Sequence, residues 1–299
     1  MRPRWLGVAA FVVVTPAASA QQLHYEGALS LTSGTYLFTE RTNSWTLSTG
    51  LAFAAGPVTF RASLPMFVQN TTLLTSSGGG LVPTGGSSSG TVADSSSARR
   101  GRGGTIPTGA TTSSLSVPSL SVVQSADGTI EVPSAAVTGY AAHAGDPLIG
   151  ATAAVSSGRL SLLLGASAKV PLNDSTGYGT GAWDFGGSGS LSYLFGLTTM
   201  ISVDAAYWVM GDLPELDLQN PLLLSASLSF LGLSGWGVSG SLSTASPVID
   251  GYSGSTMVTG SLLRVGRSRS LGLNIGVGLS AMAPDVTVGL TWRMQLTGR

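Results

Sequence analysis

Glu26, Arg61, Lys169, Asp184, Asp204 and Arg293 carry six charges in a sequence with very few to offer. Each lies in a stretch where apolar and polar residues alternate, and each falls on the polar phase: Lys169 follows Ala168, Arg293 follows Trp292, and Asp204 separates Val203 from Ala205. Three charges of each sign on one phase allow two kinds of chemistry. They can line a water-filled path as a charged eyelet, with Lys169 and Arg293 acting on a passing ion through a narrow, low-dielectric wall. Alternatively, they can pair with one another and fill an interior.

Catalysis has less to build on. A nucleophile needs a base within hydrogen-bond reach, and the two histidines, His24 and His143, lie in no lipase or protease motif. Both read as polar rim residues, so the chain is not read as an enzyme. Asp212, Glu215 and Asp217 share one loop and have the oxygen chemistry that calcium prefers. They lack the regular acidic spacing that closes on a glutamate, and the better reading is a solvated loop. No metal or cofactor is therefore expected. Arg99, Arg100 and Arg102 could meet lipopolysaccharide phosphates, although a solvated basic cluster is the simpler account.

The elements that must position these groups are strands, because successive strand side chains point to opposite faces. Trp45, Leu47, Thr49, Leu51 and Phe53 oppose Thr46, Ser48, Gly50, Ala52 and Ala54. Leu222, Leu224, Ala226, Leu228 and Phe230 oppose Ser225, Ser227 and Ser229. The same period recurs around 160–169, 201–209, 236–243, 271–280 and 286–296. A series of such segments is strong where one alone is weak. The pattern predicts strands near 24–38, 45–55, 58–69, 146–156, 159–170, 182–194, 198–210, 221–231, 235–245, 256–266, 271–282 and 286–297. Connections at 56–57, 157–158, 195–197, 232–234 and 267–270 are short. Those at 39–44, 70–145, 171–181, 211–220 and 246–255 are mostly longer. Short turns at one end and long loops at the other are the outer-membrane barrel pattern.

Composition points the same way. Only 9% of the 299 residues are charged and the mean hydropathy is +0.34, whereas soluble domains carry about 25% charged residues. Much of the surface must therefore face something other than water. In hydrocarbon only helices and closed barrels satisfy every backbone polar group, and the apolar runs after residue 20 are too short for a spanning helix. The expected fold is all-β, a transmembrane antiparallel β-barrel of twelve strands, with fourteen as the alternative.

Arg2 and Arg4, the apolar stretch Trp5 to Val14 and the run Ala18-Ser19-Ala20 form a secretory signal, expected to be cleaved after Ala20. That apolar stretch is about ten residues, half of what a spanning helix needs. The expected location is the bacterial outer membrane, with lipid and lipopolysaccharide as surroundings. Fourteen basic and fourteen acidic residues balance, so no nucleic-acid partner is implied. The absence of cysteine fits an oxidising periplasm without requiring it.

Aromatic residues sort by strand end on this topology. Phe53, Phe60, Tyr193, Phe230 and Trp236 fall beside the short turns, and Trp45, Trp183, Phe185 and Tyr207 toward the long loops, giving two interfacial belts. Residues 70–145 are dominated over 71–114 by Ser, Thr and Gly, a composition that does not repay its ordering entropy. They are expected to form a long low-complexity external loop. The Asp127-Gly128 turn signal leaves open a hairpin of 115–124 with 129–138, the source of the fourteen-strand alternative.

From Gly145-Asp146-Pro147 onward, and through AKVPLNDSTGYGTGAWDFGGSGSLSYLFG at 168–196, the chain resembles the outer-membrane β-barrel family named for the MetA pathway of phenol degradation. In that family a Gly-Asp pair opens one strand and a loop of the form K-x-P-x-(G/N)-D…G-T-G-x-x-D joins the next two. Pro171-Leu172-Asn173-Asp174 departs from the family's usual Pro-Thr-Gly-Asp. The resemblance implies an outer-membrane barrel that passes small aromatic or hydrophobic molecules. The residues and the resemblance together lead to a passive channel or binding conduit for small molecules. The alternative is a non-conducting structural or surface-interaction barrel. Oligomeric state stays open.

Overall fold

A computed structural model describes residues 21–36, 41–70, 74–77, 80–83, 123–124, 130–131, 140–156, 158–172, 180–211, 218–249 and 251–297. Among these the chain forms seventeen strands. They are β1 Gln22–Gly34, β2 Thr42–Ala55, β3 Val58–Gln69, β4 Leu74–Ser77, β5 Gly80–Pro83, β6 Val123–Gln124, β7 Ile130–Glu131, β8 Ala141–Ala144 and β9 Leu148–Ser156. They continue with β10 Leu160–Lys169, β11 Asp184–Phe195, β12 Thr199–Val209, β13 Leu222–Leu231, β14 Trp236–Ala245, β15 Thr256–Val265, β16 Arg269–Gly278 and β17 Val286–Thr297.

Twelve of them, β1 to β3 and β9 to β17, close into one antiparallel barrel. The sheet runs β2-β1-β17-β16 and onward to β9-β3, and the pairing of β2 with β3 completes the ring. Closure is what membranes demand, since it leaves no backbone edge unpaired. Of the five short strands that remain, β8 joins the same sheet on β3, while β4 pairs with β5 and β6 with β7, each as its own two-stranded sheet. Of the hairpin expected for 115–124 with 129–138, the described residues pair Val123-Gln124 with Ile130-Glu131 in a sheet of their own, the rest lying outside the described residues, and the wall closes with twelve strands rather than fourteen.

Alternation sets which way each strand faces. Val203, Leu228, Leu262, Ile275 and Val288 are exposed on the outer surface, while their sequence neighbours Asp204, Ser227, Ser261, Asn274 and Thr287 point inward. A charge on the outer phase at mid-membrane would cost about 2–4 kcal/mol, so the apolar phase must face lipid and the polar phase the lumen. The interfacial aromatics follow the expected belts and stay exposed. Trp183 stacks on Phe185 with ring centroids 5.9 Å apart at the loop end. At the turn end Arg264 sits over Trp236, 5.2 Å from the ring centroid.

The fourth wall strand differs from its sequence reading. It is built from two pieces: β8 pairs with Met66 to Gln69 and β9 with Val58 to Ser63. Between them Gly145-Asp146-Pro147 spans three residues opposite the two of Leu64-Pro65, a bulge held by Gly145 N–H donating to the Pro65 carbonyl at 2.7 Å. The wall therefore begins at Ala141, inside the stretch read as external loop. Proline on both sides removes ladder donors, which is why the pairing breaks here. Glycine is required at 145 because a Cβ there would press into the Phe67 ring and stand 3.0 Å from Pro65 Cγ.

Candidate lumen site

The six charges divide into three groups. At the turn end of β1, β3 and β17, Glu26 bridges two arginines. Its Oε2 lies 3.4 Å from Arg61 Nε and its Oε1 3.2 Å from Arg293 Nε. All three border a cavity of about 340 Å³ with Ser48, Ser63 and Thr291 around them. The sheet register explains the grouping, because Glu26 stands directly across from Arg293 and Arg61 faces Ala52 one diagonal step away.

Asp204 stands separately on β12, accepting a hydrogen bond from the Ser225 hydroxyl at 3.0 Å. It lines a second cavity of about 970 Å³ that fills the loop half of the barrel. This chamber is mixed in character: Ser30, Thr46, Ser190 and Ser243 bring hydroxyls, while Phe67, Leu163, Leu223 and Met210 bring apolar surface. Arg61 borders both cavities. Tyr36, beyond the end of β1, also lines the larger one. Its phenol is pushed above the ordinary value by burial, partly offset by the Thr32 hydroxyl.

Lys169 and Asp184 do not belong to an eyelet. Both are buried, with Lys169 only 1% and Asp184 0% exposed. Lys169 Nζ lies 3.2 Å from Asp146 Oδ2 and 3.4 Å from Asp184 Oδ2, and donates to Thr180 Oγ1 at 2.6 Å. Its three N–H donors are thereby used. Each carboxylate turns its other oxygen to a loop: Asp146 Oδ1 accepts from Leu172 N–H at 2.9 Å, and Asp184 Oδ1 from Gly211 N–H at 2.8 Å. The lysine is a knot that ties the bulge in the fourth wall strand to the loops following β10 and β12. Alternation alone says that a side chain points inward, and it does not separate a wet lumen from a buried contact.

Two further features lay outside the sequence reading. Met210, Leu218 and Ile249 form a buried apolar cluster with Trp208, Val248 and Tyr252 packed against it, tied by Gln219 N–H donating to the Val248 carbonyl at 2.7 Å. Apolar residues on the lumen phase of β12 were the available signal. Trp208 fits because Gly186, its register partner on β11, has no side chain; a Cβ there would stand 2.7 Å from the indole. His24 lies on the lumen phase of β1 with Nδ1 buried and unbonded, and His143 sits on β8 opposite Phe67. Asp212, Glu215, Asp217, Arg99, Arg100, Arg102 and residues 1–20, read as a secretory signal, fall outside the described residues.

No family model matches the sequence, and no curated protein is significantly similar to it. Solved structures are similar in fold. An outer membrane channel from Pseudomonas putida F1 superposes with a TM-score of 0.61 over 95% of this chain and 100% of that chain, at 10% identity. The NanC porin gives a TM-score of 0.47 at 7% identity, covering 92% of this chain and 100% of that one. The CymD monoaromatic hydrocarbon channel gives 0.45 at 9% identity, covering 93% and 89%. This chain has the outer-membrane β-barrel fold. At such identities the likeness speaks to architecture, and the use of the lumen must be argued from the lumen itself.

Proposed function

We propose that the protein is an outer-membrane channel, a passive conduit for small molecules with substantial apolar surface. The observation that carries this reading is the pair of cavities, both bordered by Arg61, inside a closed barrel with an apolar exterior. A barrel that served only as a scaffold would gain stability by filling that volume with side chains. The resemblance of 145–196 to the MetA-pathway barrels supports the same solute class. Its loop motif coincides with the lysine knot, because Asp146, Lys169, Thr180 and Asp184 all come from the motif residues.

Purified barrel reconstituted in a planar bilayer should show discrete single-channel steps, and the protein should fractionate with outer membranes. Bilayers that stay silent across voltages, with folded protein inserted, would remove the channel reading.

A second reading is favoured by the apolar cluster around Ile249 and by the lysine knot, which hold two loops together near the external mouth. On this reading the barrel is closed and its external loops meet a surface partner. The same recording separates the two.

A further inference from the structure

Arg61 and Arg293 present their Nε atoms to one shared carboxylate, Glu26. A guanidinium carries five N–H donors in a planar fork. Among the described residues Glu26 is the one acidic side chain paired with either arginine, so no second carboxylate meets their Nη ends. Two guanidiniums against one carboxylate leave a local charge of +1. The side chains are 46% and 41% exposed inside the lumen, which puts those ends within reach of a solute. Ser48, Ser63 and Thr291 supply hydroxyls around them. On the other side of Arg61 lies the larger chamber, with Phe67, Pro65, Leu163 and Leu223 offering apolar surface.

We propose that the lumen selects small organic anions, an apolar body bearing one carboxylate, with the carboxylate received by the Nη ends of Arg61 and Arg293 and the body lying in the apolar chamber. This rests on the channel reading above and names its class of solute. Arginine is suited to the task because its fork matches a carboxylate with two parallel hydrogen bonds. Asp204 fixes the direction. As a carboxylate on the larger cavity it repels an anionic head, so a bound solute lies with its head at the arginines and its apolar part beside the hydroxyls and Phe67. A neutral solute gains only single, weaker hydrogen bonds from the arginines, and an amine meets a positive locus.

The test uses the full barrel in detergent and three probes that share one ring: benzoate, benzyl alcohol and benzylamine. Calorimetry should show benzoate binding at least tenfold more tightly than the other two. Arg61→Gln combined with Arg293→Gln should weaken benzoate at least tenfold, to the level of the alcohol, whereas Asp204→Asn should leave it unchanged or tighter. Heat-modifiable gel mobility checks that each variant is folded. If the double variant fails to fold, Arg293→Gln alone serves, since Glu26 still pairs with Arg61. Equal or tighter binding of the alcohol or amine, no binding of any probe, or benzoate binding indifferent to the arginines overturns the proposal. Benzoate bound by a barrel that carries no current keeps the site and removes the channel. A conducting barrel without preference among the three keeps the channel and removes the site.

Discussion

Replacing Lys169 by methionine keeps most of its volume and deletes the charge that two buried carboxylates share. The contacts are 3.2 and 3.4 Å, and the side chains are 1% and 0% exposed, so solvent screening does little. At an effective dielectric near 20 each contact carries roughly 5 kcal/mol of attraction, which the desolvation of three ions largely cancels. Deleting the lysine removes the attraction and leaves the two buried carboxylates without the cation between them, a loss of about 3–5 kcal/mol. That is roughly two to four powers of ten in the folding equilibrium. The assay is urea titration in detergent, read by the mobility difference between folded and unfolded barrel on gels. A triple variant, Lys169→Met with Asp146→Asn and Asp184→Asn, removes all three charges and retains acceptors for Leu172 and Gly211 N–H. It should recover at least half of the loss. A single variant with an unshifted midpoint would refute the reasoning, as would a triple variant no more stable than the single.

Glu26→Gln should leave both arginines in place with their local charge raised from +1 to +2, and the reversal potential in a salt gradient should move toward anion preference; a move toward cations would count against an aqueous path at this site. Ile249→Ser should weaken the apolar cluster at the loop end by about 1–3 kcal/mol, and single-channel conductance should rise as the loops part, whereas unchanged conductance would place the narrowest point elsewhere. Gly235→Ala forces a side chain into a turn at φ +81° and toward the Val265 carbonyl, so stability should fall by about 1–2 kcal/mol. Gly240→Ala on the lipid face, with nothing within 4 Å of the added Cβ, is the control and should be neutral.

The barrel was legible in the sequence because lipid and water sort side chains with period two, and nearly every wall strand repeats that sorting. Expected strand 221–231 is found at Leu222–Leu231, and 286–297 at Val286–Thr297. Strand ends were less legible: β16 ends at Gly278 where 282 was expected, because Met282 and Ala283 are buried in the following turn and prolong the apolar pattern. The bulge at 145–147 was visible only as a Gly-Asp-Pro triplet, with no sign of where Asp146 would point. Glu26, Arg61 and Arg293 were placed together by phase, but their sharing of one carboxylate depends on the register across β1, β3 and β17. Leu218 and Ile249 belong to loops, where no periodicity announces burial.

Closure joins the first strand to the last, and Leu23 N–H bonds to Thr297 Oγ1 across 274 residues of chain. Every other wall pairing is between strands that follow one another, apart from the β3 to β9 step across the long connection. Hairpins can form early and locally, but the seam cannot close until the final strand is delivered, since loop closure must precede the contacts that reward it. Until then β1 and β17 are two open edges, each able to pair with another chain. The arginine pair shares this timing, because Arg293 reaches Glu26 only across that seam. A half-finished barrel therefore has neither a sealed wall nor a complete site, and the two are made in the same event.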